Sequence, residues 1–369
     1  MSIDEFPQNP YVLLTPGPLR TTPTVKAAML RDWSTWDDDY NKIVQGIRRQ
    51  LVELATARDG YTSVLMQGSG TFCVEATLGT AVPQRGRVLI IANGAYGDRM
   101  ALIAQRLQIP HTHLRFDEAR CPDVGRIRQA LRADSSITHL AIVHCETTTG
   151  ILNPLGEIAD LVRVHHLQFI VDAMSSFGGI PLDVGGLGID FLVSSANKCI
   201  QGVPGFGFVI AREDAMDACR NNARSLALDL YAQWNTMEEE RGKWRFTSPT
   251  HVVHAFAQAL EELHAEGGVT ARHTRYCENH RELVRGMNAL GFSCFLDPEV
   301  RSPIITSFLE PSSAGYSFHG FYAALKKRGF VIYPGKVTQA DTFRVGTIGD
   351  VNPETIRSLI SAVRHSMTW

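Results

Sequence analysis

Two residues in the middle of the chain, Asp172 and Lys198, have the side-chain types that amine chemistry requires. Asp172 ends the apolar stretch QFIVD (168–172), and Lys198 closely follows the stretch DFLVSSA (190–196). A carboxylate at the end of a buried strand needs a cationic or hydrogen-bonding partner. A lysine in a desolvated cleft has a lowered pKa and becomes nucleophilic. Taken singly, Asp172 also fits a turn or helix cap, and Lys198 also fits a surface loop.

The two residues follow successive predicted strands, and the carboxyl ends of parallel strands lie at the same edge of a sheet. We therefore expect Asp172 and Lys198 to face one cleft. A lysine that holds an aldehyde as an imine, with an aspartate that keeps a pyridine nitrogen protonated, is the pattern of enzymes that use pyridoxal 5'-phosphate. The pair predicts this cofactor, with Lys198 and Asp172 as the catalytic residues.

The segment GSGTF (68–72) is a candidate cradle for the phosphate group of such a cofactor. It lies between the predicted strand TSVLM (62–66) and a predicted helix, so its backbone N–H groups form an anion site. Ser69 and Thr71 add hydroxyl donors. The segment is not a dinucleotide fingerprint, because Cys73 replaces the third glycine, and it lacks the Gly-Lys-Ser/Thr ending of a P-loop. An NAD- or nucleotide-binding α/β protein is the alternative from another class.

Two further polar segments follow predicted strands at the same expected edge. NGAYG (93–97) brings Tyr96 to the cleft, and HCETTTG (144–150) offers Glu146 and the threonines that follow it. Each segment also fits a purely local role, the first as a helix start and the second as a turn.

The elements that hold these residues alternate between helix and strand over the first two-thirds of the chain. The predicted strands are continuous apolar runs at 62–66, 87–92, 138–144, 168–173, 190–196 and 205–211. Such runs, separated by helices, predict an α/β fold with a mostly parallel sheet covered by helices on both faces. A helical stretch over roughly 250–289, broken at Gly267 and Gly268, precedes fewer strands with longer connections, which predicts a smaller α+β domain.

These patterns predict three parts of the chain. They are an N-terminal arm (1–15), a large cofactor-binding domain (16–260) and a small C-terminal domain (261–369).

The composition of the 369 residues predicts a soluble globular protein. Apolar residues make up 44%, charged residues 20%, and the formal net charge is −2, so neither nucleic acid nor a membrane is expected as a partner. The first ten residues lack the basic and apolar segments of a signal peptide. Seven scattered cysteines without a CxxC pair predict the cytoplasm. The paired histidines fit surface or packing positions, so no metal is predicted.

The polar segments, in this order, resemble the class V aminotransferases of fold type I. The shared stretches run over nearly the whole chain and are TPGP (15–18), GSGT (68–71), NGAYG (93–97), ETTTG (146–150), VDAMSSFGG (171–179), SSANKCIQGVPG (194–205), FTSPT (246–250) and FRVG (343–346). Longer stretches resemble the members that use 2-aminoethylphosphonate and pyruvate, and they are TWDDDYN (35–41), SSANKCIQGVPGF (194–206), SLALDLYAQW (225–234) and KWRFTSPTH (243–251).

The resemblance implies roles for the residues around the cofactor ring. Lys198 holds the cofactor as an imine and shuttles the proton, and Asp172 pairs with the pyridine nitrogen. Tyr96 stacks on the ring, and Thr147 contacts its hydroxyl side.

The resemblance also implies the residues that bind the cofactor phosphate. Ser69, Gly70 and Thr71 hold it within the chain, and Asn197 stands where some relatives have glutamine. Thr247 reaches the phosphate from the other subunit. The resemblance therefore implies a homodimer with shared active sites.

Arg344, in the segment FRVG (343–346), is the substrate-binding residue that the resemblance implies. Its planar guanidinium matches the oxygens of a carboxylate or a phosphonate. Without the resemblance, Arg344 also fits a surface position at a strand edge.

The implied reaction is a ping-pong transamination in phosphonate degradation. It moves the amino group of 2-aminoethylphosphonate to pyruvate and gives phosphonoacetaldehyde and L-alanine. The alternative within the family is an alanine–glyoxylate or serine–pyruvate aminotransferase, in which Arg344 binds a carboxylate. A non-catalytic protein with the same fold is disfavoured, because Lys198, Asp172 and Arg344 are all present.

Overall fold

A seven-stranded sheet lies at the centre of the chain in the computed structural model, which describes residues 9–369. Residues 1–8 of the predicted N-terminal arm, and with them most of the segment that was analysed for a signal peptide, lie outside the described residues. The strands of the described chain are β1 Val12–Leu13, β2 Tyr61–Gly68, β3 Val88–Ala92, β4 His111–Arg115, β5 His139–Val143, β6 Gln168–Asp172, β7 Phe191–Ser195, β8 Gly205–Arg212, β9 Ile305–Leu309, β10 Phe330–Val331, β11 Tyr333–Pro334 and β12 Thr342–Gly346.

The helices surround the sheets and fill most of the connections between strands. They are α1 Pro23–Ala27, α2 Asp38–Ala55, α3 Gly70–Ala81, α4 Ala95–Arg106, α5 Val124–Ala133, α6 Leu155–Val164, α7 Val184–Leu187, α8 Glu213–Asp217, α9 Leu230–Glu239, α10 Thr250–Glu266, α11 Gly268–Ala289, α12 Phe318–Lys327 and α13 Pro353–Arg364, with short 3-10 turns at Ala28–Leu30 and Pro298–Val300.

The central sheet has the strand order β2-β8-β7-β6-β5-β3-β4. Neighbouring strands are parallel except β8, which is antiparallel to both β2 and β7. Strands β3, β5 and β7 are buried along their whole length, as continuous apolar runs require. Helices pack against this sheet, α2 and α9 on β2, α3 on β7 and β8, and α4 on β3. The predicted α/β fold with a mostly parallel sheet is confirmed.

The edge strand β4 was not predicted from the sequence. Its residues HTHLR contain a single aliphatic side chain, Leu114, and every residue of the strand is at least partly exposed. An edge strand has a neighbour on one side only and does not need the continuous apolar run that identifies a central strand. Helix α5, which follows it, was missed as well.

The C-terminal part of the chain has its own sheet and its own apolar cluster. The sheet is antiparallel with the order β11-β12-β9, and β1 pairs in parallel with β10. The apolar cluster contains Leu14 and residues between Leu283 and Val363. The predicted smaller α+β unit is confirmed, whereas the exact domain limits, including that after residue 260, stay a prediction.

The helical stretch that was predicted after residue 250 consists of α10 and α11. The two helices meet at Gly267 and Gly268, which have φ angles of 108° and 75°. This left-handed backbone suits glycine, which ends many helices in this way. Within residues 9–369, no helix combines the length and the apolar character that crossing a membrane requires.

Candidate active site

The carboxyl ends of six strands, β2, β3, β4, β5, β6 and β7, lie at the same edge of the central sheet. A cavity of about 140 Å³ lies at this edge. It is lined by seven of the predicted site residues, Ser69, Gly70, Thr71, Tyr96, Asp172, Asn197 and Lys198. A larger open groove of about 880 Å³ runs along α2 and β2, but its Arg48 is already paired with Glu238. The smaller cavity is therefore the better candidate for chemistry.

Lys198 is a buried lining residue of this cavity, and its Nζ donates a hydrogen bond to the Pro16 carbonyl oxygen at 2.9 Å. Burial lowers the pKa of Lys198 to about 8, because desolvation disfavours the ammonium form. The nearby Asp172 carboxylate opposes this shift and the Arg344 cation adds to it. About a tenth of the amine is therefore neutral and nucleophilic at pH 7, far more than for an exposed lysine.

The glycine of the TPGP segment permits this close approach. Gly17 has a φ of 117°, and a Cβ atom there would lie 2.9 Å from Lys198 Cδ and 3.1 Å from Nζ. Any other residue would be strained and would displace the lysine.

The loop after Lys198 is held from the other side by α11. The Cys199 carbonyl oxygen accepts hydrogen bonds from Arg272 Nη1 at 2.7 Å and from the Tyr276 hydroxyl at 3.1 Å. Arg272 is also paired with Glu266 at 2.5 Å. Sequence reasoning missed these residues, because an arginine and a tyrosine on a long helix have no local feature that distinguishes them from surface side chains.

Asp172 ends β6 and is buried on the cavity wall. Its Oδ1 accepts a hydrogen bond from the Met174 backbone N–H at 2.9 Å. Burial raises the pKa of Asp172 to about 6, and the hydrogen bond with Met174 and the charges of Lys198 and Arg99 limit the rise. The carboxylate is therefore mostly ionised at neutral pH and is able to accept a hydrogen bond from a protonated ring nitrogen.

The turn Ser69–Thr71 opens α3 at the cavity. Gly70 is the first residue of this twelve-residue helix, and the Ser69 side chain, at the N-cap position, makes no capping hydrogen bond. Backbone N–H groups at a helix start attract anions, and the free hydroxyl of Ser69 adds a donor. Asn197, on the cavity wall, accepts a hydrogen bond from Ser195 at 3.2 Å.

Arg99 is a cavity residue that sequence reasoning missed. Its Nη1 donates to Thr71 Oγ1 at 3.2 Å, and its guanidinium carbon lies 4.5 Å from the centroid of the Tyr96 ring. Arg99 lies one helical turn after Tyr96 on α4, so it shares a face with Tyr96. This i,i+3 spacing is the signal that would have found it.

Arg344 lies in β12, the middle strand of the C-terminal sheet, and is 2% exposed. Its Nη1 donates to the Thr147 carbonyl oxygen at 2.9 Å and its Nε donates to the Pro334 carbonyl oxygen at 3.0 Å. Both acceptors are uncharged, and burial lowers the pKa of the guanidinium. Thr147 and Arg344 lie beside the cavity and are not part of its lining. The alternative prediction, that Arg344 is a surface residue at a strand edge, is wrong, because Arg344 is buried in a middle strand.

Thr147 is buried, and its hydroxyl is 2.6 Å from the Ser175 hydroxyl. The side chain therefore points into a polar network next to the cavity, and its carbonyl group holds Arg344. The structure thus brings the ETTTG segment and β12 together.

Thr247, like Thr147 and Arg344, is a predicted site residue that is not part of the cavity lining. It is exposed, in the connection between α9 and α10, beside Phe246, which is 52% exposed. The connection is anchored by Ser248, whose hydroxyl lies 2.6 Å from that of the buried Tyr40.

The chain is similar to known aminotransferases over its whole length. The family model described as aminotransferase class-V matches residues 23–359. The 2-aminoethylphosphonate–pyruvate transaminase of Syntrophobacter fumaroxidans is 62% identical over 367 residues, which are 100% of this chain and 99% of that protein. A protein of the same name from Bacteroides fragilis (strain YCH46) is 60% identical and covers 97% of this chain and 99% of its own length.

Solved structures show the same fold at lower sequence identity. The alanine–glyoxylate aminotransferase from a Nostoc species superposes with a TM-score of 0.90 at 24% identity, over 100% of this chain and 98% of that one. The ureidoglycine–glyoxylate aminotransferase from Bacillus subtilis also has a TM-score of 0.90 at 24% identity, over 98% of this chain and 94% of that one.

The lowered pKa of Lys198 predicts the pH dependence of its reaction with an aldehyde. Because only the neutral amine attacks, we expect the rate to rise about tenfold per pH unit below pH 8 and to level off above it, whereas an ordinary lysine titrates near 10.4. Cofactor-free protein is mixed with pyridoxal 5'-phosphate between pH 6 and 10, and the adduct is followed by absorbance. Lys198→Ala is the control for other lysines. A rate that still rises up to pH 10 would contradict the prediction.

Proposed function

The chain belongs to the class-V aminotransferase family, and on this basis we propose that it moves the amino group of 2-aminoethylphosphonate to pyruvate. The observation that carries the proposal is the pairing of a buried Lys198, with a lowered pKa, and a buried Asp172 in one cavity. The substrates come from the relatives, which match this chain from end to end. The family model of class-V aminotransferases matches residues 23–359, and this match argues against the alternative of an NAD- or nucleotide-binding protein.

Pyridoxal 5'-phosphate fits the donor set of the cavity. Lys198 provides an amine for its aldehyde, Asp172 an acceptor for its ring nitrogen, and the α3 N-terminus with Ser69 and Thr71 a place for its phosphate. When bound, this cofactor supplies the electron sink that stabilises a carbanion next to nitrogen.

The residues of the chain then perform three tasks. Lys198 Nζ, as a neutral amine, takes the proton from the carbon that carries the amino group of the donor. The protonated Nζ would then pass this proton to the cofactor carbon that receives the amino nitrogen. In the second half-reaction, Nζ would carry a proton from that carbon to the carbon of pyruvate that becomes Cα of L-alanine. The buried Asp172 carboxylate keeps the ring nitrogen protonated throughout.

Arg344 serves both half-reactions, because both substrates are anions. A phosphonate, by analogy with phosphate, carries more than one negative charge near pH 7, and pyruvate carries one. The guanidinium is buried and is bonded to carbonyl groups only, so an incoming anion meets a cation that no neighbouring carboxylate has neutralised by hydrogen bonding. Its planar fork fits the oxygens of either group.

The proposal extends to assembly and location. Thr247 and Phe246 are exposed in this chain, and we propose a homodimer in which a second copy covers them and Thr247 reaches the partner's cofactor phosphate. All seven cysteines are free thiols, which suits a reducing cytoplasm. The role in phosphonate degradation follows from the proposed donor.

The half-reaction with the amino donor tests the proposal directly. Addition of 2-aminoethylphosphonate to the yellow protein, without a keto acid, is expected to abolish the visible band of the lysine-bound cofactor, and pyruvate is expected to restore it. Lys198→Ala should fold and lose steady-state turnover. A band that responds to alanine or serine but not to the phosphonate would assign another amino donor. A protein that stays colourless with added cofactor would contradict the proposal.

Replacement of Arg344 by lysine tests its role toward both anions. A lysine keeps the charge but loses the bidentate fork, so we expect kcat/KM to fall by about tenfold or more for both 2-aminoethylphosphonate and pyruvate, mainly through KM. Arg212→Lys is the matched control, because Arg212 pairs with Asp190 at the opposite edge of the sheet. Equal KM values in Arg344→Lys and the wild-type protein would rule out this role.

Hybrid dimers test whether Thr247 acts across subunits. Thr247→Val homodimers should bind the cofactor about tenfold more weakly, since a hydrogen bond to a charged phosphate is lost. A hybrid with one Lys198→Ala chain and one Thr247→Val chain combines an intact Lys198 with an intact Thr247 at one site if the site is shared. That site should regain wild-type cofactor affinity. A hybrid as weak as the Thr247→Val homodimer, or a monomeric mass for the wild-type protein, would refute sharing.

A further inference from the structure

Glu146 is a fully buried carboxylate beside the cavity to which the mechanism above gives no task. Its Oε2 accepts hydrogen bonds from the backbone N–H groups of Tyr96 at 3.1 Å and Gly97 at 3.4 Å. Its Oε1 accepts from the Thr148 N–H at 3.3 Å and from the Thr148 hydroxyl at 2.8 Å. In the ionised form both oxygens accept, so three backbone N–H groups and one hydroxyl group are satisfied by this one side chain.

The backbone next to Glu146 leaves room for this side chain. Gly94 precedes α4, and a Cβ atom built on it would clash with the carboxyl group of Glu146. The φ of Gly94 is 171°, an extended backbone that any residue adopts, so the need for glycine comes from the closeness of Glu146 alone. Two segments that are distant in sequence thus fit together at this point.

Glu146 joins the two parts of the site that hold the cofactor and the substrate. The first turn of α4, to which its Oε2 is bonded, carries Tyr96, and the next turn carries Arg99; both residues line the cavity. The residue after Glu146 is Thr147, whose carbonyl oxygen accepts a hydrogen bond from Arg344. A negative charge is attracted to a helix N-terminus, and this attraction is stronger where both groups are buried.

We propose that Glu146 is a positioning residue, whose carboxylate locks the first turn of α4 to the Glu146–Gly150 turn and so holds Tyr96 and Arg99 at the cofactor and Arg344 at the amino donor. The proposal rests on the proposed function. It assigns to Glu146 no contact with a substrate or cofactor. It predicts instead that the loss of one carboxylate oxygen disturbs cofactor and donor binding together.

Replacement of Glu146 by glutamine tests the lock with the least change in shape. The amide group has one acceptor oxygen, so its NH₂ group must face either the N–H groups of Tyr96 and Gly97 or the donors of Thr148. One pair of buried donors then has no acceptor. We expect the dissociation constant of pyridoxal 5'-phosphate, measured by absorbance titration of the cofactor-free protein, to rise by about tenfold or more.

Two further readouts separate positioning from a general loss of stability. The induced circular dichroism of the bound cofactor should change, since Tyr96 turns relative to the ring, and the amides of Tyr96 and Gly97 should exchange hydrogen faster. Asp190→Asn is the matched control, because Asp190 is a buried carboxylate that accepts from the Phe169 N–H at 2.6 Å, at the opposite edge of the sheet. It should lower stability and leave the cofactor affinity and the dichroism band unchanged.

A second variant tests the same contact from the other side. In Gly94→Ala the added Cβ atom displaces the Glu146 carboxyl group, so it should weaken cofactor binding as Glu146→Gln does. Because both variants break one contact, the double variant should be no weaker than the weaker single variant. This keeps the proposal testable if Glu146→Gln fails to fold.

The outcomes distinguish this inference from the proposed function. If the wild-type protein binds the cofactor and the variants bind it with wild-type affinity, Glu146 is not a positioning residue. Additive effects of the two variants would also overturn the inference. A wild-type protein that never becomes yellow would overturn the proposed function itself.

Discussion

The burial of the Lys198 amine at the carboxyl edge of the sheet is the constraint on which the rest of the site depends. Desolvation lowers the pKa of Lys198 to about 8, and this makes the amine reactive at a pH where an exposed lysine is almost fully protonated. The position is costly for a flexible side chain. It is fixed by the Pro16 carbonyl oxygen, by the close backbone of Gly17 and by the anchoring of the Cys199 carbonyl group on α11.

The charges around this lysine form one electrostatic unit. Asp172 and Glu146 are buried acids, and burial raises the pKa of the first to about 6 and of the second to about 7. Arg99 and Arg344 supply cations, of which Arg344 is bonded to neutral carbonyl groups and Arg99 to a hydroxyl group. With Lys198, the cations exceed the acids. An anionic phosphate and an anionic substrate complete the balance in a region of low dielectric constant, where each charge interacts strongly with the others.

The C-terminal sheet contacts the site at two places. On one side, Leu14 packs in the C-terminal apolar cluster and its carbonyl oxygen accepts from the Gly346 N–H at 2.9 Å, two residues before Pro16 meets Lys198. On the other side, Arg344 is bonded to Thr147. A shift of this sheet would therefore be felt at the lysine and at the substrate arginine together, since the contacts at both places are short and direct.

The sequence by itself determined the central strands and their functional edge. Strands β3, β5 and β7 are buried on both faces, and this leaves a continuous apolar run that one sequence reveals. Since parallel strands end at one edge, the sequence alone predicts that Asp172 and Lys198 face a common cleft. The roles of Arg344 and Thr247 came from family resemblance, and that of Thr247 still depends on a second chain.

Only the tertiary structure revealed that residues 111–115 form the edge strand β4, that β8 is antiparallel to its neighbours, and which groups the buried charges contact. Glu146 meets Tyr96 across 50 residues of sequence, and Arg344 meets Thr147 across 197. Arg272 lies on a helix whose local pattern would look the same at the surface. The reason is physical. The burial of a strand requires apolar side chains at every position or at every second position, and this leaves a pattern in the sequence. A hydrogen bond between distant segments depends on how whole elements pack, and it leaves no such pattern.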